Sequence, residues 1–300
     1  MQRLVFWLTY PFLWFISKLP FPVFYKISDG IFFFVFYIFR YRRKIVSDNL
    51  NLVFPQKSTE EIHVIEKKFY RHMVDMFLEM VKSISISNEE LKKRFTFTNL
   101  EEIDKIRAMD KSIILACGHY ASFEWMNALQ LYGYDYRGFG VYKRIQNKYF
   151  DKMARDIRGR FQGELIPTKA ATKTITRYQK MGILGVYAMV ADQSPRLDRA
   201  KAWTDFMEIT VPVFMGTENL SRSLGMAVVY LHVEKLKRGY YQATFKTLSY
   251  HPSEEEEFKV TKNYFRELEQ QIYAAPEYYL WTHKRWKHRN SSIPEEAVVF

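Results

Sequence analysis

The sequence predicts an α/β domain, a mixed, mostly parallel sheet flanked by helices, carried behind an N-terminal helical segment that anchors it to a membrane. Three observations predict it. From Phe95 onward, short apolar, β-branched or aromatic runs alternate with helical stretches, the pattern of a sheet crossed over by helices. One such run, Ser112–Cys117 (SIILAC), is apolar on both faces, as a central parallel strand should be. Ahead of them all lie two charge-poor apolar runs that end in a basic cluster.

The first of these runs, Leu4 to Ser17, carries no charge; Lys18, LPFPVFY and Lys26 follow, then a second run from Ile31 to Phe39. Neither reaches the roughly 20 apolar residues of a spanning helix, and Pro11, Pro20 and Pro22 would kink a continuous one. No small-residue cleavage site follows, so the segment does not read as a signal peptide. Residues 1–45 are expected to form the anchor, as one kinked span or two helices dipping into one leaflet, and residues 46–300 the catalytic domain. Arg40, Arg42, Arg43 and Lys44 put that domain on the cytoplasmic side.

Thr59 to Lys82 reads as a helix, because Ile62, Ile65, Phe69, His72, Met76 and Met80 recur at three- and four-residue steps. Strands are expected at Phe95–Thr98, Ser112–Cys117, Arg137–Tyr142, Glu164–Pro167, Ile183–Val190, Val211–Phe214, Met226–Val233 and Tyr240–Thr247. Asn99, Thr168 and Thr217 stand where helices should be capped. The last two strands, joined by Lys235–Gly239, form an antiparallel addition; an acidic loop, a final amphipathic helix and the segment Pro276–Arg289 close the chain.

Composition narrows the partners. With 45 Lys and Arg against 33 Asp and Glu, the chain carries +12, which favours lipid phosphate, nucleic acid or an acidic carrier protein. Aromatic residues at 17% suit a bilayer surface, where amphipathic rings sit well. A single Cys excludes a disulfide framework and any multi-Cys zinc site.

The candidate chemistry starts at His119. Gly118 breaks the Ser112–Cys117 run, so His119 lies at the carboxyl end of a central strand, where ligand sites form in open α/β sheets. With Ser122 as N-cap, Glu124 falls in the first turn of a helix, from where it can accept a hydrogen bond from one imidazole nitrogen and leave the other free as a base. No second His stands at metal-ligand spacing, and Cys117, inside an apolar strand, reads as a small hydrophobe; neither a metal nor an organic cofactor is expected. The stretch 141–163 adds Lys143 and four arginines, Arg144, Arg155, Arg158 and Arg160, whose guanidinium forks suit phosphate.

His, four residues, then an acid is the signature of the glycerolipid acyltransferase superfamily, and GHYASFEW resembles its form in the bacterial lipid A biosynthesis (late) acyltransferases. YRRKIVSDNLNLVFP after the anchor, VADQSP at 190–195, VPVFMG at 211–216 and PEYYLWTHKRWK at 276–287 extend the resemblance over nearly the whole chain. The resemblance implies an enzyme at the cytoplasmic face of the bacterial inner membrane that moves a fatty acyl chain from acyl carrier protein onto a hydroxyl of a lipid A precursor. It implies that Arg158 is the family's functional arginine and Asp192 its acidic partner beyond a later strand. His119 is then the general base and Glu124 its orienting carboxylate; Arg144 and Gln193 join Arg158 and Asp192 as candidate substrate contacts. A direct transfer needs no acyl-enzyme.

Two rivals stay open from sequence. One is an acyltransferase using another glycolipid or aminolipid acceptor. The other is a basic, membrane-bound adaptor without catalysis. WTHKRWKHR interleaves Trp with basic residues, yet no nucleic-acid module surrounds it; it suits anionic headgroups or the carrier protein better than nucleic acid.

Overall fold

The computed structural model describes residues 2–300. Two N-terminal helices, α1 (Gln2–Lys18) and α2 (Phe21–Phe33, continued by one π-helical turn over Phe34–Ile38), break at Leu19–Pro20. One continuous helix is interrupted at Pro20, as the prolines predict; Pro22 lies in the first turn of α2, where its missing N–H breaks no helical bond, and Pro11 is accommodated inside α1. The 18 residues Phe21–Ile38 are long and apolar enough to cross a membrane, the one such stretch among the described residues. One face of α2 is buried, with Phe24, Phe32 and Phe36 inside, while Phe33, Phe34, Ile38 and Phe39 stay exposed beside Leu4, Leu8, Phe12 and Phe15 of α1.

The helix α3 (Arg43–Val53) leads to α4 (Thr59–Lys82), which forms as its periodicity predicts. Its first turn is closed by a capping box: Glu61 N–H donates to Ser58 Oγ at 3.2 Å and Ser58 N–H to Glu61 Oε2 at 2.8 Å. Lys82, at the far end, donates to the carbonyls of Ser17 (2.7 Å) and Leu19 (2.5 Å), tying α1 and α2 to the body of the protein.

The remaining helices are α5 (Asn88–Arg94), α6 (Glu101–Ala108), α7 (Lys148–Gly159), α8 (Ala171–Lys180), α9 (Gly216–Leu224) and α10 (Lys259–Ala274). The strands are β1 (Phe95–Thr98), β2 (Ile113–Cys117), β3 (Arg137–Tyr142), β4 (Gly163–Pro167), β5 (Gly185–Val190), β6 (Ala202–Phe206), β7 (Ile209–Pro212), β8 (Ala227–Lys237), β9 (Tyr240–Ser249) and β10 (Val298–Val299). Seven form the main sheet in the order β1-β9-β8-β2-β5-β3-β4. Every pairing is parallel except the β8–β9 hairpin. Strand β2, buried at all five positions, sits between β8 and β5, so the apolar run SIILAC occupies the centre.

Three details differ from the sequence reading. Val211–Phe214 was expected in the main sheet; the strand is Ile209–Pro212, and it belongs to a second sheet ordered β10-β6-β7, whose outer strands lack an alternating pattern. Asn99 does not cap α6: with φ +44° it turns away, donating to Phe245 O (2.7 Å) and accepting from Phe245 N–H (3.0 Å) on β9. Thr168 opens a 3-10 turn and Thr217 lies buried in the first turn of α9, neither capping through its side chain.

One register positions everything that follows. Cys117 at the end of β2 pairs with Val190 at the end of β5. Two residues past each strand stand His119 and Asp192, side by side at the carboxyl edge of the sheet.

Candidate active site

Strand β2 passes into the site through Gly118, where a Cβ would lie 2.5 Å from Leu268 Cδ1 of α10, so a larger residue would have to displace that buried side chain. His119, Tyr120 and Ala121 then run in a tight loop, with Ala121 at φ +49°. Phe123–Tyr132 follows as ten residues of 3-10 helix, well beyond the usual three or four.

His119 Nδ1 lies 2.6 Å from Asp192 Oδ1, and its Nε2 lies 3.2 Å from the Gln193 side-chain amide. Phe123 packs edge-on against the imidazole. The Asp192 side chain is 2% exposed and that of His119 19%, so the carboxylate is sealed and the base is open to a ligand. Burial works against a cation at His119, but the charge and hydrogen bond of Asp192, with the charge of Glu124, hold its pKa above the ordinary value. Burial likewise opposes an ionised Asp192, and the neighbouring imidazole with backbone hydrogen bonds brings it below the usual carboxylate range.

Glu124 does not hold the imidazole, as the sequence reading had it. The side chain of Ser122 forms no cap, and the 3-10 geometry delivers Glu124 to the last turn of α7, where Arg158 takes it in a fork: Nη2 to Oε1 at 2.5 Å and Nε to Oε2 at 3.1 Å. The carboxylate on His119 comes from the neighbouring strand instead. The site thus holds two pairs, His119–Asp192 and Glu124–Arg158, with the Glu124 charge acting on the imidazole. The second pair lines a narrow cleft of about 60 Å³, together with Phe123, Tyr142, Leu165 and Val190.

The other candidates fall in different places. Gln193 contacts the imidazole. Arg144 is exposed in the β3–α7 loop, as is Lys143. Arg155 pairs with Asp151 at 3.4 Å, and Arg160 donates to Ser83 O (2.6 Å) and Ile86 O (2.9 Å), so both are engaged in structure. Cys117 is buried, and burial pushes its thiol up, as suits an inert small hydrophobe. Sequence reasoning passed over Tyr279, His283 and Arg285, which surround Asp192 from the C-terminal segment. The PEYYLWTHKRWK run that carries them was the available signal.

An imidazole held by a buried carboxylate at the edge of an α/β sheet has the chemistry to take a proton from a hydroxyl, as enzymes of group transfer require. Residues 1–288 match the family described as bacterial lipid A biosynthesis acyltransferase. The chain belongs to that family and is an acyltransferase. It is 25% identical over 297 residues to the lipid A biosynthesis lauroyltransferase of Escherichia coli K12, covering 96% of this chain and 93% of the relative. It is 23% identical over 295 residues to the lipid A biosynthesis palmitoleoyltransferase of the same organism, covering 95% and 92%. With the lipid A biosynthesis acyltransferase 2 of Shigella flexneri it shares 21% over 259 residues, 84% and 80% of the two chains.

Proposed function

We propose that this enzyme transfers a fatty acyl chain from acyl carrier protein to a hydroxyl of a lipid A precursor at the cytoplasmic face of the bacterial inner membrane. The observation that carries the reading is the His119–Asp192 pair, with a sealed carboxylate and an open imidazole. With Nδ1–H donated to Asp192, the Nε2 lone pair faces outward, and the Gln193 amide occupies it until an acceptor hydroxyl takes its place. Nε2 removes the hydroxyl proton, the alkoxide attacks the thioester carbonyl, and the imidazolium returns the proton to the leaving thiolate. Asp192 keeps one tautomer and stabilises the cation. A base of this kind contributes about 10²- to 10⁴-fold.

The Glu124–Arg158 pair has a second role in this reading. Glu124 spends one edge of the guanidinium and aims the rest at the acceptor, whose phosphates it meets; Arg144, exposed and free to swing, adds charge at the rim. Residues 1–45 serve as the anchor and 46–300 as the catalytic domain. Because one face of α2 packs on the domain while the aromatic faces of α1 and α2 are exposed, both helices lie in the interface plane and hold the cleft at headgroup level.

Mass spectrometry of lipids from cells lacking the gene, complemented with wild type or His119→Ala, tests this. A lipid A species lighter by one acyl group, restored only by wild type, is the expected result. An unchanged lipid A with another lipid short of an acyl group moves the acceptor to another glycolipid or aminolipid. Full rescue by His119→Ala rejects the mechanism and favours an adaptor.

A further inference from the structure

Two of the segments singled out in the sequence, YRRKIVSDNLNLVFP and PEYYLWTHKRWK, have no part in the chemistry above, yet they meet at it. After α10 the chain runs back beneath the site as a strap. Leu280 N–H donates to His119 O and Ala121 N–H to Tyr278 O, both at 3.0 Å, and Tyr120 bridges antiparallel to Tyr279. The strap's other edge is held by the first segment: Asn49 Nδ2 of α3 donates to Trp281 O (2.8 Å) and His283 O (2.9 Å), and Arg42 Nη1 to Thr282 O (3.1 Å).

Further along, the strap grips the second catalytic loop. Ser194 Oγ donates to Arg285 O, while Arg285 Nη1 donates to Ser194 Oγ (3.2 Å) and Pro212 O (3.3 Å). Arg285 is 1% exposed and lies against the rings of Phe206 and Phe265. Its Nε and Nη2 find no hydrogen-bond partner among the described residues. A guanidinium so buried, with donors unspent, is costly unless an anion faces it. It is held in place by the groups it donates to, at Ser194 and Pro212.

We propose that Arg285 is a positioning residue for the acid–base pair: through Ser194 and Pro212 it fixes the loop that carries Asp192 and Gln193. The proposal rests on His119 and Asp192 acting as proposed above. The groups facing Asp192 are Cys117 and His119 from β2 and its loop, Tyr230 from β8, Tyr264 from α10, and Tyr279, His283 and Arg285 from the strap. Burial takes His283 down to about 4, so it is neutral, and the tyrosines are held protonated. Without Arg285 the loop loosens, and Asp192 sits less firmly on the imidazole.

The test is acyl transfer by the full-length protein in detergent micelles, using defined acyl carrier protein thioesters, with pH profiles of kcat/KM. Arg285→Met should lower kcat about 10- to 100-fold with the donor KM unchanged. It should also move the acid limb to lower pH, because a loosened Asp192 supports the imidazolium less. Arg285→Lys should bring the limb and kcat only part of the way back, since an ammonium cannot reach both Ser194 and Pro212. Ser194→Ala, the mildest change, should lower kcat about threefold to tenfold with a smaller limb shift in the same direction. An Arg285→Met limb at the wild-type position overturns the proposal whatever the rate. If that variant does not fold, wild-type kcat in Ser194→Ala overturns it. Wild-type activity in a parallel His119→Ala control would instead sink the dyad, a separate result.

Discussion

The protein has two clusters of charged side chains, built from the same residue types and put to opposite use. Under α2, Asp75 accepts from Ser28 Oγ (2.6 Å) and from Arg238 Nη2 (2.7 Å) and Nε (2.9 Å), and Arg238 reaches on to Asp29 at 2.9 Å. Glu79 accepts from Tyr25 and Tyr241, both at 2.9 Å. Asp75 is 1% exposed and Glu79 not at all. In the site, by contrast, one carboxylate is sealed while His119, Glu124 and Arg158 keep between 16% and 20% of their side-chain surface. A cluster whose oxygens are all met by protein donors fixes one helix on another. A cluster with one partner withheld can accept a proton or a ligand. The difference lies in what is left open, and each cluster can be probed for the property of the other.

The largest expected effect separates them outright. His119→Ala should cost about 10²- to 10⁴-fold in acyl transfer with thermal unfolding unchanged. Asp192→Asn should cost a similar factor and also move the acid limb. In the proposed mechanism the base works unprotonated, and in the wild type Asp192 holds its pKa above the ordinary 6.5, so activity should fall as pH drops through that raised value. Removing the carboxylate lowers the pKa and moves the limb to lower pH; an unmoved limb would show that Asp192 does not set it.

In the closed cluster the order reverses. Asp75→Ala leaves Arg238 held by Asp29 alone and takes from Lys235 its carboxylate at 3.9 Å, and should cost about 1.5–3 kcal/mol in denaturant unfolding, with kcat per folded molecule unchanged. Glu79 sharpens the contrast. Burial lifts its pKa from 4.5 to about 7, so between those values the folded state keeps a proton that the unfolded state has released. Stability should fall as pH rises across that window, and Glu79→Gln should flatten the fall; equal slopes in both proteins would remove Glu79 as its source.

Glu124 and Arg158 stand between the extremes. Glu124→Gln, Arg158→Met and the double variant should be non-additive by about 0.5–3 kcal/mol in kcat/KM for the acceptor, because each loses the same fork. Strict additivity would mean the pair acts as two separate contacts. The smallest effect is expected at Lys152–Asp156 on the outer face of α7, where breaking an exposed pair should change stability by at most about 0.5 kcal/mol.

Regular, repeating features were legible in the sequence. The helix Thr59–Lys82 and the strand Arg137–Tyr142 emerge with the bounds their patterns predict, because period and capping are local properties. His119 reaches its strand edge for the same reason. The partner of His119 was not legible, because the pair is 73 residues apart and depends on β2 and β5 being neighbours in register. Placing Glu124 on the imidazole assumed an α-helical turn after Ser122, and the 3-10 segment put its carboxylate 34 residues along the chain, on Arg158. Asn99 went the same way: a good capping residue by type, it was captured by β9.

The strap also has a consequence for synthesis. Asn49 and Trp281 are 232 residues apart, and the carbonyl of His119 is held by Leu280. The strap is made after every strand of the main sheet, whereas the loop at His119 is made between β2 and β3. During synthesis the sheet can therefore pair while that loop still lacks its backbone partner at Leu280, and the site is closed only after the main sheet is complete.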